Sequence, residues 1–367
     1  MKRIIAAFFI VGAFPSAASA QELTVYSSLP LSGASRVQTT AVNDGARRAL
    51  REAGGTAAGK PVRLTTLNNA TARAGSWTVG RTRANARRAA RDASTVAYIG
   101  EFNSGGSKLS IPILNRAGIP QVSPSNTYNG LTTPIERGEP GKYYPTGVRT
   151  YFRIVPNDHV QAAALVTAMR DRGCKALGLV HDGEVYGQGM NADVVATAAR
   201  LGLPVVANRR ISRGAPTAIR RAKADCMAYT GITANGAVRL FRSSALRGMQ
   251  LFGSDGVAES GFVDPLPRSV ERRTFVTVAT VPPPAAFGNR DPYYVYGYEA
   301  MKLILDGLNA SGGTRAGLLG WLPTVQNRQS VLGTYGFDAN GDTTLRTYGL
   351  YSVGRNSLRY EATITAA

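Results

Sequence analysis

From Gln21 onward, short β-branched or apolar runs alternate with glycine- or proline-marked turns and with segments whose apolar residues recur every three to four positions. Leu23 to Ser27 reads as a strand. Val42, Ala46, Ala49, Leu50 and Ala53 form one face of a helix that ends at Gly54-Gly55. Val62 to Leu67 begins the next unit, and after an Arg-rich helix Val96 to Ile99 and Ile119 to Ser123 read as strands that run into polar loops. Such alternation predicts an α/β fold with parallel sheets.

A second series follows. Asp158 is expected to cap a helix carrying Ala164, Leu165, Ala168 and Met169 and closed by Gly173. Strands are expected over 176–180, 203–206, 227–229, 250–252 and 274–281, then the run Pro282-Pro283-Pro284, a helix with Tyr298, Met301, Leu305 and Leu308, and a hairpin-like tail around Asn340-Gly341. At 367 residues one core usually divides, so two lobes with a cleft between them are expected.

Residues 1–20 read as a secretory leader: Lys2 and Arg3, the apolar stretch Ile4 to Phe14, and Ala18-Ser19-Ala20 as the cleavage signal. That stretch is shorter than the roughly 20 residues a membrane-crossing helix needs. The expected product is a soluble, monomeric protein of the periplasm or the secreted medium, beginning at Gln21, without a cysteine there to carry a lipid anchor. Export would expose Cys174 and Cys226 to oxidising conditions, where a disulfide is one reading and two free buried thiols the other. A net charge of +20 raises nucleic acid as a partner, but the basic residues are spread along the chain and not interleaved with stacking aromatics. A solvated basic surface is the simpler reading, and no nucleic acid is expected.

His159 and His181 are the only imidazoles and stand outside any zinc-ligand spacing. Neither a nucleophile elbow nor a phosphate-binding glycine loop is present, so neither a metal nor a cofactor is expected and catalysis has little support. Binding has more. Asn103-Ser104-Gly105 and Ser123-Pro124-Ser125-Asn126-Thr127 follow successive strands, where open α/β sheets bind ligands. Their hydroxyls and N–H groups could hold a carboxylate, each charge-assisted bond contributing about 1.5–3 kcal/mol. Loops of this composition also serve as plain turns and caps.

Several further segments stand in a consistent order: Leu29-Pro30-Leu31-Ser32-Gly33, Asp44-Gly45-Ala46, Gly100 to Gly105, Ala117-Gly118-Ile119-Pro120, Phe152-Arg153-Ile154-Val155-Pro156 with Asp158, His181-Asp182 with Tyr186-Gly187-Gln188-Gly189, Gly253-Ser254-Asp255-Gly256, and Phe337 to Asp342. The series resembles the branched-chain amino acid type of ABC-transporter substrate-binding protein, with the type I periplasmic binding fold, over nearly all of the chain after residue 20. The resemblance implies two doubly wound, Rossmann-like lobes, 21–125 plus 257–334 and 126–253 plus 335–367, joined by three crossings near 125–150, 253–257 and 334–342.

It also implies that Ser104, Ser125 and Thr127, with Asn103 beside them, hold an α-carboxylate and part of an ammonium. Asp255 would pair with the ammonium, and Tyr186 would close over the ligand from the second lobe. Gln38 stands where relatives often carry a ring, and Thr230 or a neighbour replaces a second, which suggests a roomier and more polar pocket. The stretch from Pro282 to Asp291 is shorter than is usual before the Tyr-rich helix start Tyr293-Tyr294-Val295-Tyr296. The implied ligand is an amino acid or amide-like molecule, the implied partner an ABC-transporter permease, and the implied protein is not an enzyme. Two alternatives stay open: a sensor of the same fold that signals to a membrane receptor, and an exported amide hydrolase, for which Ser104 or Asp255 would need a base that the sequence does not display.

Overall fold

The first strand, β1 (Leu23–Leu29), is buried at every position, as a parallel strand covered on both faces must be. In the computed structural model, which describes residues 21–279, 284–288, 290–355 and 357–365, it is followed by α1 (Arg36–Glu52), β2 (Lys60–Asn68), α2 (Val79–Arg91), β3 (Thr95–Gly100), α3 (Ser104–Arg116), β4 (Gln121–Ser123) and β5 (Tyr151–Arg153). These strands form one parallel sheet in the order β2-β1-β3-β4-β5, with Thr56–Ala57 antiparallel along the outer edge of β2. The expected leader, residues 1–20, and Pro282-Pro283 of the proline run lie outside the described residues.

The second lobe repeats the plan. Its elements are α4 (Asp158–Asp171), β6 (Leu177–His181), α5 (Val185–Arg200), β7 (Val205–Arg210), α6 (Ala215–Arg221), β8 (Cys226–Thr230), α7 (Ala237–Phe241), β9 (Gln250–Gly253) and β10 (Thr274–Val278). The chain then forms α8 (Tyr293–Ala310) and closes with β11 (Thr347–Gly354) and β12 (Ser357–Thr365). The sheet order is β7-β6-β8-β9-β10-β11-β12, parallel through β10 and antiparallel at β11 and β12. In both sheets the winding direction reverses beside the first strand of the lobe, and that reversal leaves a crevice at the strand C-termini.

The crossings differ from the expected ones. Residues 125–150 are not a passage between lobes: they carry short turns over 129–131 and 141–143 and return to the first sheet as β5. The chain leaves for the second lobe only between Arg153 and Asp158. Residues 253–257 also stay in the second lobe, because β10 pairs beside β9, so the stretch 257–334 assigned to the first lobe begins too early. The return comes between Val278 and Tyr293, since α8 packs on α1. That packing is close enough to need glycine on both helices: a Cβ on Gly45 would fall onto the Tyr294 carbonyl, and one on Gly297 onto the Val42 carbonyl. The last crossing follows Thr343, where Asp342 still pairs beside Arg153 of the first sheet. Asn157, and not Asp158, caps α4, its side chain accepting from the Val160 N–H.

Cys174 and Cys226 form a disulfide with a Cα–Cα distance of 5.6 Å, and no described cysteine is free. The bond ties the approach to β6 to the start of its neighbour β8. It closes a loop of 52 residues, for which chain entropy gives up to about 4 kcal/mol. Replacing both residues, Cys174→Ser with Cys226→Ser, is expected to lower the unfolding free energy by about 2–4 kcal/mol in denaturant melts, and reductant should cost the wild type the same amount. An unmoved midpoint would remove the bond from the account of stability.

Candidate functional site

Every loop that follows a strand C-terminus near the two reversal points reaches one cavity between the lobes. It spans about 480 Å³ counted out to its open mouth. From the first lobe it is lined by Ser35 and Gln38 at the start of α1, Phe102 and Asn103 ahead of α3, Ser104 in its first turn, Ser125 and Thr127 after β4, and Tyr293 at the start of α8. The second lobe contributes Glu184, Tyr186, Ile232, Asp255, Gly256 and Glu259.

The first-lobe wall is a hydrogen-bonding surface. The leading N–H groups of α3 have no carbonyl one turn back and give that end a partial positive charge. Ser104 Oγ accepts from the Tyr128 N–H at 3.4 Å, which leaves its own proton available. The Thr127 carbonyl accepts from the Asp158 N–H at 2.8 Å, and this holds the loop at the head of α4. Ser125 donates its hydroxyl to the Phe102 carbonyl at 2.8 Å, and Asn126 Nδ2 donates to the same oxygen, so Ser125 braces the loop more than it offers a proton. Asn103 precedes α3 but does not cap it, and its Oδ1 is buried without a partner. The ring of Trp77 packs against Gly105, where a Cβ would stand 2.7 Å from it. Gln38 donates from Nε2 to the Ala258 carbonyl, a direct link from α1 to the second lobe.

Carboxylates dominate the second-lobe wall. Tyr186 donates its phenol proton to Asp255 Oδ1 at 2.5 Å, and both residues are buried. Burial raises the Asp255 carboxyl, partly offset by the Tyr186 bond. Burial pushes Glu184 up to about 7, helped by the nearby Asp182 charge. It pushes Glu259 up to about 7 as well, against hydroxyls of Thr233 and Ser35 that favour the charged form. Asp182 itself is scaffold: its carboxylate accepts from the N–H groups of Glu184 and Ile232 and from Asn235 Nδ2, all at 2.9 Å, and so sets the two loops.

Seven of the eight expected ligand-binding residues, Gln38, Asn103, Ser104, Ser125, Thr127, Tyr186 and Asp255, line this cavity. Thr230 does not. It is fully buried in β8 and donates to the Gly187 carbonyl at 2.9 Å, which places it in the scaffold under α5. The cavity expected to be roomier and more polar also carries rings: Phe102 and Tyr293 line it with centroids 5.2 Å apart, and Tyr186 adds a third. Glu184 and Glu259 escaped the sequence reading because nothing local marks them. His159 pairs with Asp193 at 2.9 Å, and His181 ends β6 outside the cavity lining.

A carboxyl whose folded pKa is raised contributes stability that is complete below its unfolded value and lost as pH climbs through the folded one. For Glu184 and Glu259 that window runs from about 4.5 to about 7. The ligand-free protein should therefore melt at a lower temperature at pH 8 than at pH 5.5. Glu184→Gln combined with Glu259→Gln should shrink that difference in paired thermal melts; an equal difference in the variant would contradict the assignment.

Comparison with known proteins follows the same lines. The family model described as periplasmic binding protein matches residues 26–264, well over half of the chain. A leucine binding protein from Thermotoga maritima superposes with a TM-score of 0.79 at 21% identity, covering 94% of this chain and 99% of that one. A branched-chain amino acid transporter substrate binding protein from Streptococcus pneumoniae, in complex with isoleucine, gives 0.73 at 19% identity over 94% and 99%. An ABC-transporter solute binding protein from R. palustris, in complex with benzoate, gives 0.75 at 17% identity over 94% and 97%. No curated protein matches. The two-lobed fold, the cavity at its strand ends and the family model agree: the chain belongs to the periplasmic binding protein family.

Proposed function

We propose that the protein captures an α-amino acid between its lobes outside the cytoplasm and presents the closed form to an ABC-transporter permease. The observation that carries this reading is the division of labour across the cavity. Hydroxyls and a helix N-terminus on the first lobe suit a carboxylate, and the Asp255 carboxylate on the second suits an ammonium. A ligand with both groups contacts both walls at once and favours the closed arrangement over an open one.

Other features support the setting. The disulfide fits an oxidising compartment, and no helix among the described residues is long and apolar enough to cross a membrane. The permease is carried by family kinship. An aromatic acid, the ligand of the R. palustris neighbour, would suit the rings but would bring a negative charge to a cavity that holds three carboxyl groups.

In a thermal-shift screen of the purified protein, at least one L-amino acid is expected to raise the melting temperature. Asp255→Asn should weaken that ligand by about tenfold or more, and Ser104→Ala with Thr127→Ala should weaken it comparably, each variant losing charge-assisted bonds. Full affinity in both variants would take the site away from this cavity.

A further inference from the structure

The chain carries 43 Lys and Arg against 23 Asp and Glu, yet among the described residues three carboxyl groups and no Lys, Arg or His line the interlobe cavity. A single ammonium, held by Asp255, accounts for one of them. Glu184 and Glu259 are left over: the Asn235 amide serves Glu184, and hydroxyls of Thr233 and Ser35 serve Glu259, but neither has a cation beside it among those residues. Each stands at the N-cap position of a helix, Glu184 before α5 and Glu259 before Ser260–Val263, but neither side chain caps its helix. Neither is in an ion pair among the described residues, although Glu259 is only 6% exposed and acidic residues are seldom buried without a positive partner. Glu184 belongs to the second lobe, but its Oε2 lies 3.5 Å from where a Gly105 Cβ would stand on the first, so it reaches across the cavity.

We infer that the ligand is a basic α-amino acid, whose side-chain cation is received by Glu184 and Glu259 while Asp255 holds its α-ammonium. This deepens the proposed function and rests on it. The rings fit the same occupant: Phe102, Tyr186 and Tyr293 offer apolar surface to an aliphatic stem and π faces to a cationic head. The overall positive charge of the chain repels such a ligand at long range, so attraction has to be supplied at short range, where these carboxylates are. Burial holds both Glu carboxyls up at about 7, and a cation placed beside them would favour their charged form.

The test compares pairs of similar size that differ in the side-chain charge, by calorimetry on the wild-type protein: lysine with norleucine and arginine with citrulline. The charged member of at least one pair is expected to bind about tenfold or more tightly, the scale of one charge-assisted bond. In the variant carrying Glu184→Gln and Glu259→Gln that ratio should fall toward one. Norleucine, leucine or citrulline binding as tightly as the charged member would overturn the basic ligand and leave amino acid capture standing. Putrescine binding as tightly as lysine would overturn the amino acid class, because no carboxylate would then be needed. Binding of benzoate alone would overturn both readings, and binding of nothing in the panel would overturn the basic ligand.

Discussion

The cavity depends on a buried ion pair that does not line it. Arg153, at the end of β5, is fully buried and holds Asp342 through Nε to Oδ1 at 2.7 Å and a second guanidinium nitrogen to Oδ2 at 3.0 Å. The remaining nitrogen donates to the carbonyls of Tyr128 at 2.9 Å and Asn126 at 3.3 Å, the residues on either side of Thr127. Thr132 and Asn157 donate to the same Asp342 carboxylate. One guanidinium therefore joins the last strand of the first sheet, the segment leading to the last crossing and the loop that presents Thr127. Such a pair contributes little net stability, but breaking it by removing one partner leaves an uncompensated buried charge, at a cost of about 3–5 kcal/mol. Its value here is geometric, because it fixes the hinge and the ligand wall with the same atoms.

Around that anchor, two copies of one topology face each other. Each lobe winds its strands in the same order and directs the same kind of loop toward the gap, but the loops differ in chemistry. The first lobe ends its strands in hydroxyls and backbone N–H groups; the second ends them in carboxylates. Neither wall is complementary to a zwitterion alone. Gln38, which bonds to the Ala258 carbonyl across the gap, and Asn129, whose amide donates to Asp193 at 2.6 Å, show that direct contacts also link the lobes.

Much of this was legible from the chain itself. The strand and helix periods placed β1, α1 and β3 because those elements are buried in patterns that local sequence encodes. The loops of Ser104 and Thr127 stood out because hydroxyl-bearing turns, common as plain caps, here follow two successive strands at the end where open sheets bind ligands. Thr230 misled because matching a position to relatives that carry a ring there does not say whether the side chain faces the gap or the next helix. The sheet membership of β10 was hidden because strand pairing is non-local. Phe102 was overlooked within a polar turn, and Tyr293 because its approach to Phe102 joins distant parts of the chain. The significance of Glu184 and Glu259 lies in lacking a positive neighbour, which becomes visible only when the whole surround is assembled.

The most direct measurement is a crystal structure of the protein grown with lysine. The account predicts the ligand carboxylate within about 3 Å of Ser104 and Thr127 donors, and the α-ammonium at the same distance from Asp255. Lysine bound outside the cavity, or lying reversed with its carboxylate against the second lobe, would contradict it.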